Sequence, residues 1–109
     1  MNAGSVDSRS WRVSLGHRPV ALEIALLKRS YVLPWSQFLY AEGGDDEVHA
    51  FFATHVVIVR GAGLTALLAD LAAENVTVVR EPARVDRFQA GADRSIREVI
   101  VQKLEAAAG

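Results

Sequence analysis

The stretch of this chain whose residue types and spacing most resemble chemistry runs from Val56 to Ala66. Val56-Val57-Ile58-Val59 is an apolar run of strand type, Gly61-Ala62-Gly63-Leu64-Thr65-Ala66 spells G-x-G-x-x-A, and an amphipathic segment follows. Glu81 stands twenty residues after Gly61, just beyond a second apolar run at Val76-Thr77-Val78-Val79. On paper this order looks like a dinucleotide-binding fingerprint: glycines let the backbone approach a pyrophosphate, amides at a helix start hold it, and an acid takes the ribose. Free N–H groups and the helix dipole do attract phosphate. The rest of the chain argues otherwise. A dinucleotide fold needs helices on both faces of a parallel sheet, and only two helical segments are legible here. Roughly fifty residues of antiparallel type precede the motif, and only 28 follow Glu81. Gly61 and Gly63 are therefore expected to allow a sharp exit from strand into helix. No cofactor is expected; Gly61, Gly63 and Glu81 are the residues that would hold a nucleotide if one bound.

The remaining reactive side chains are scattered. His49 and His55 lie six residues apart in an extended run, downstream of Asp45, Asp46 and Glu47. Extended chain puts two such imidazoles roughly 20 Å apart, and neither H-x-H nor H-x-x-x-H spacing occurs, so no metal site is expected from them or from His17. No G-x-S-x-G elbow presents a nucleophile. The acids Glu42, Asp45, Asp46 and Glu47 crowd a turn and suit a solvated surface. Arg80, Arg84, Arg87, Arg94, Arg97 and Lys103 are interleaved with Glu81, Asp86, Asp93 and Glu98, a mixed rather than a basic stretch. Around Pro34, the rings of Tyr31, Trp35, Phe38 and Tyr40 provide core area. For Trp35, in the connection itself, core packing is also the leading expectation, with contact to a partner as the alternative.

These residues sit in a chain of 109 residues and 11.8 kDa, half of it apolar and 23% charged, with a net charge of −1 and no cysteine. That is one globular domain without a disulfide framework or a cysteine nucleophile. Its charge balance gives no global pull toward nucleic acid or membrane. The apolar run at residues 20–27 is interrupted by Glu23 and is short of the ~20 residues a bilayer requires. A cytoplasmic chain with no membrane partner is the expectation.

Patterning supplies the elements. Residues 1–10 are small and polar and are expected to be a disordered tail. Trp11, Val13 and Leu15 alternate as a strand, and Gly16-His17-Arg18-Pro19 turns. Residues 20–28 are good helix material behind Pro19, but Val20, Leu22, Ile24 and Leu26 alternate, so a strand is preferred. Tyr31-Val32-Leu33 and Phe38-Leu39-Tyr40-Ala41 are further strands, with Gly43-Gly44-Asp45-Asp46 a turn. Residues 47–60 show no hairpin signal and are expected to form one long bent strand. Leu64, Leu67, Leu68, Leu71 and Ala72 mark a helix over residues 64–75, stopped by Asn75, before a strand at residues 76–80.

Residues 83–94 are expected to link the domain, residues 11–82, to a C-terminal helix over residues 95–109. Ser95 and Glu98 would form its capping box, and Ile96, Val99, Ile100 and Leu104 its apolar stripe. The fold class expected is α+β: five to six mainly antiparallel strands in a strongly curved sheet, a partial barrel, packed by one helix.

No residues name a reaction. Unpaired strand edges and a second amphipathic helix are more apolar surface than so short a chain covers. The expectation is therefore a non-enzymatic protein-interaction module that forms a homo-oligomer or meets another protein. Its contact residues would be Trp35, Ile96, Val99, Ile100 and Leu104. A small barrel binding single-stranded nucleic acid is the alternative.

Overall fold

Apolar residues at alternate positions make strands of most of the described residues. The computed structural model describes residues 5–7, 11–83 and 95–104. Among them the order is β1 (Ser5–Asp7), β2 (Trp11–Ser14), β3 (Ala21–Ala25), β4 (Ser30–Pro34), β5 (Phe38–Gly43), β6 (Glu47–Phe52), β7 (His55–Ala62), α1 (Thr65–Ala72), β8 (Val76–Arg80) and β9 (Ser95–Lys103). A turn of 3-10 helix at Trp35–Gln37 separates β4 from β5.

The class is α+β, but the strands do not curl into one partial barrel. They form two sheets, ordered β1-β2-β8-β3-β4 and β5-β6-β7-β9. Pairing is antiparallel except between β3 and β8, which run parallel. Pro34, last in β4, has no N–H to continue a ladder. The 3-10 turn after it carries the chain from the first sheet to the second, with Trp35 N–H bonded to the Val20 carbonyl.

Two expected elements are corrected. Residues 47–60 are not one bent strand: β6 and β7 pair antiparallel through Phe51↔Val56 and Glu47↔Arg60, with Ala53-Thr54 as the loop. Two-residue hairpins usually advertise themselves with residues of positive φ, such as Asn-Gly. Here neither loop residue has one. The turn is held from outside instead, by a bond from Ala53 N–H to the Gln37 carbonyl.

Residues 95–103 are not a helix but β9, paired along its length with β7. Its register slips between Arg60↔Glu98 and Gly61↔Ile96, so Arg97 is an extra, bulged residue. The bulge turns Ile96 and Val99, three apart, to the same buried side. That i, i+3 spacing imitates a helical stripe. Glu98 does not cap a helix; its carboxylate accepts a bond from Arg60 Nη1 at 3.0 Å. The same device recurs in β8, where a slip opposite Arg12 and Val13 leaves Val76 and Val79 both buried.

Other expectations survive. β2, β3, β4, β5 and β8 fall where alternation put them, and residues 20–28 are strand at their centre. α1 buries Leu64, Leu67 and Leu71 and leaves Leu68 at the rim, while Ala72 is exposed. Its stop is Glu74, at φ 56°, rather than Asn75. Within the expected tail, residues 5–7 pair with β2. Residues 84–94, most of the expected linker, and 105–109 lie outside the described residues.

One apolar cluster draws Leu22, Ile24 and Leu33 from the first sheet, Val48, Phe52, Val57, Val59 and Ile96 from the second, and the α1 leucines. α1 lies beside β5 and β6, and Asp70 on it accepts the Trp11 indole N–H at 3.0 Å. The helix thus ties the two sheets together.

Candidate functional site

The glycine corner, Gly61 to Gly63, joins β7 to α1. Gly61 lies inside β7 rather than in a loop. A Cβ there would run into the carbonyl of Ser95 and the backbone of Ile96, so the missing side chain makes room for β9. Gly63, at φ 69°, makes the turn into α1. Its N–H reaches a carboxylate oxygen of Asp45 at 3.3 Å, and Thr65 Oγ1 donates to the other oxygen at 3.4 Å. The Leu64 N–H bonds the Asp45 carbonyl, and the Gly61 N–H the Asp46 carbonyl. An anion does sit at this helix start, but it is the protein's own side chain, delivered by the β5–β6 turn. Glu81 is turned elsewhere, with Oε1 accepting the Leu27 N–H at 2.9 Å. The three residues named for a nucleotide are therefore each engaged within the fold.

Among the described residues, the outward face of the second sheet carries a connected set of polar side chains. Strand register places Glu42, His49, Ile58 and Ile100 in one row across β5, β6, β7 and β9. A second row holds Glu47, Arg60 and Glu98. His49 Nε2 donates to Glu47 at 2.6 Å; Arg60 donates from Nε to Glu47 at 2.9 Å and from Nη1 to Glu98 at 3.0 Å. The bond from His49, and next that from Arg60, hold the Glu47 carboxyl below the usual carboxylate range. Glu47, then Glu98, hold the Arg60 guanidinium still more firmly protonated.

Glu42, Gly43, Glu47 and His49 line a hollow of about 280 Å³. An imidazole against a carboxylate can move a proton, but Glu47 has both oxygens committed, and among the described residues no nucleophile lines the hollow. The arrangement forms a polar lock across β6, β7 and β9, each solvent-screened pair adding little by itself. Beside it Tyr40 and Phe51 stack at 4.6 Å. Stacked rings are what a single-stranded base would use, but the carboxylates of Glu42, Glu47 and Glu98 share this face with them, which disfavours a phosphate backbone.

A second hollow, of about 420 Å³, is lined by Leu26, Leu27, Lys28, Arg29, Tyr31 and Glu81 at the end of the first sheet. His55 packs its ring on Tyr31 at 5.7 Å and its Nδ1 on the Thr54 hydroxyl at 2.7 Å. Among the described residues no three of His, Cys, Asp and Glu come together to hold a metal, and no helix is long and apolar enough to cross a membrane.

Compared with protein-family models, with curated proteins and with solved structures, the chain matches none.

The residues expected at a partner surface separate sharply. Trp35 is buried, packs on Phe38 and Phe52, and donates its indole N–H to the Val76 carbonyl at 3.2 Å. Ile96 and Val99 are buried too. Ile100 lies half-buried on the outward face, and Leu104 is exposed. What unites Ile100 and Leu104 is not a helical stripe but the edge of a sheet. β9 is last in its sheet.

The Leu104 N–H bonds the Thr54 carbonyl. Hydrogen-bonded residues alternate along an antiparallel pair, so Gln102, Ile100 and Glu98 turn their main-chain groups to β7 and Val99, Val101 and Lys103 turn theirs away. Sequence reasoning missed this edge because it took β9 for a helix; the signal was there in the β-branched Ile96, Val99, Ile100 and Val101.

Proposed function

We propose that this chain is a non-enzymatic, self-associating interaction module, acting through the open edge of its second sheet. The observation that supports the reading is the regular segment of β9 from Glu98 to Lys103, whose outer N–H and C=O groups meet no strand among the described residues. An unpaired edge is a template for another strand unless it is short, bulged, interrupted by proline or covered. The other edges carry those devices. β4 is five residues ending in Pro34, and β5 slips register at Leu39; β1 is three residues long. β9 has its bulge at one end only, and neither glycine nor proline.

The test is mass by light scattering across a range of micromolar concentrations. A dimer or larger species is expected, and Val101→Pro, which removes an edge donor but no bond to β7, should weaken it at least tenfold. A concentration-independent monomer overturns the reading. Salt-sensitive retardation of a single-stranded oligonucleotide would favour the nucleic-acid alternative instead.

A further inference from the structure

We infer that the strand added to β9 is β9 of a second copy, antiparallel, with Ile100 facing Ile100 across a two-fold axis. The inference rests on the proposed self-association and specifies its geometry. A two-fold pairing of β9 with itself must keep each side chain on its own face of the sheet, so opposed residue numbers sum to an even number. The candidate registers are then few, and their side-chain pairs differ.

With Val99 on the axis, the Glu98 carboxylate faces Ile100 and Arg97 faces Val101. With Val101 on the axis, Glu98 faces Leu104 and Val99 faces Lys103. With Glu98 on the axis, two carboxylates oppose each other. Placing Ile100 on the axis sets Glu98 against Gln102, an acceptor against an amide donor, and Val99 against Val101 on the inward side. In this register polar faces polar and apolar faces apolar throughout. It also extends the outward row from Glu42, His49, Ile58 and Ile100 straight into the same row of the second copy, across one continuous sheet. The bulge at Arg97 ends regular pairing just before Arg97 would meet Lys103 of the second copy.

The main-chain groups agree. Because Ile100 bonds β7, it forms a non-hydrogen-bonded pair on its open side, where opposed Cα atoms stand about 4.5 Å apart. That separation suits a disulfide, which spans about 4.4–6.8 Å. The chain has no cysteine of its own, so an introduced one reports cleanly.

The experiment is oxidation of Ile100→Cys and, separately, of Glu98→Cys, in the full chain. Ile100→Cys should convert to covalent dimer, while two Glu98→Cys positions, offset roughly 14 Å along the strands, should not. A mixture of Glu98→Cys with Gln102→Cys chains should give the covalent heterodimer, and it stands in if Ile100→Cys does not fold. A dimer by light scattering without these cross-links overturns the register and leaves self-association standing. Equal cross-linking of Ile100→Cys and Glu98→Cys also overturns the register, and a monomer overturns both.

Discussion

The carbonyl oxygen of Ser95 occupies the space where a side chain at Gly61 would begin. β9 can close on β7 there only because position 61 has no Cβ, and Arg97 bulges two residues further on. Gly61→Ala is therefore expected to push the strands apart and to destabilise the fold by about 1–3 kcal/mol, the range for overfilling a packed site. Chemical denaturation measures it; a midpoint unchanged from wild type would mean that β9 does not approach so closely.

Asp45 does for α1 what a bound anion would do. Its two carboxylate bonds are long, at 3.3 and 3.4 Å, so Asp45→Ala should cost about 0.5–1 kcal/mol. In a thermal melt of a domain near 100 residues that is a fall of a few degrees. The same contact predicts that inorganic phosphate and NAD leave the wild-type melting temperature unchanged, since the Gly63 amide they need is engaged. A rise with either ligand would show that the carboxylate yields its place.

The polar lock on the second sheet has a pH dependence of definite sign. Glu47 is held below the usual carboxylate range by His49 and then Arg60. Its contribution to stability is therefore full above the unfolded carboxylate range and is lost as pH falls through the lowered folded value. Wild type should melt above Glu47→Gln at neutral pH, by a small margin because the group is exposed. The margin should close in acid. Paired melts across the acidic range check this, and a margin that widens on acidification contradicts it.

Glu74 ends α1 at φ 56°, where a side chain is strained and glycine is not. Glu74→Gly should stabilise the protein by about 0.5–1 kcal/mol, the relief of strain exceeding the extra chain entropy of glycine. Equilibrium unfolding in urea reads the gain directly. A loss would mean that the Glu74 side chain has a role its backbone geometry does not reveal.

Residue pattern alone determined much of this protein: the α+β class, the placing of β2, β3, β4, β5 and β8, and the leucine face of α1. Those features follow from periodicities of two and of about 3.6 that each segment carries by itself. The tertiary structure decided what depends on a neighbour. Ala53-Thr54 turns because Gln37 holds it, not because its residues demand a turn. Ile96 and Val99 share a face because a bulge against Arg60 shifts the period, which no reading of β9 in isolation distinguishes from a helix. The same holds at the glycine corner, where identical residues could have faced a phosphate. A turn 16 residues upstream of Gly61 brings Asp45 to the amides first. Long-range contact of that kind is a property of the folded chain as a whole, and local sequence does not encode which partner arrives.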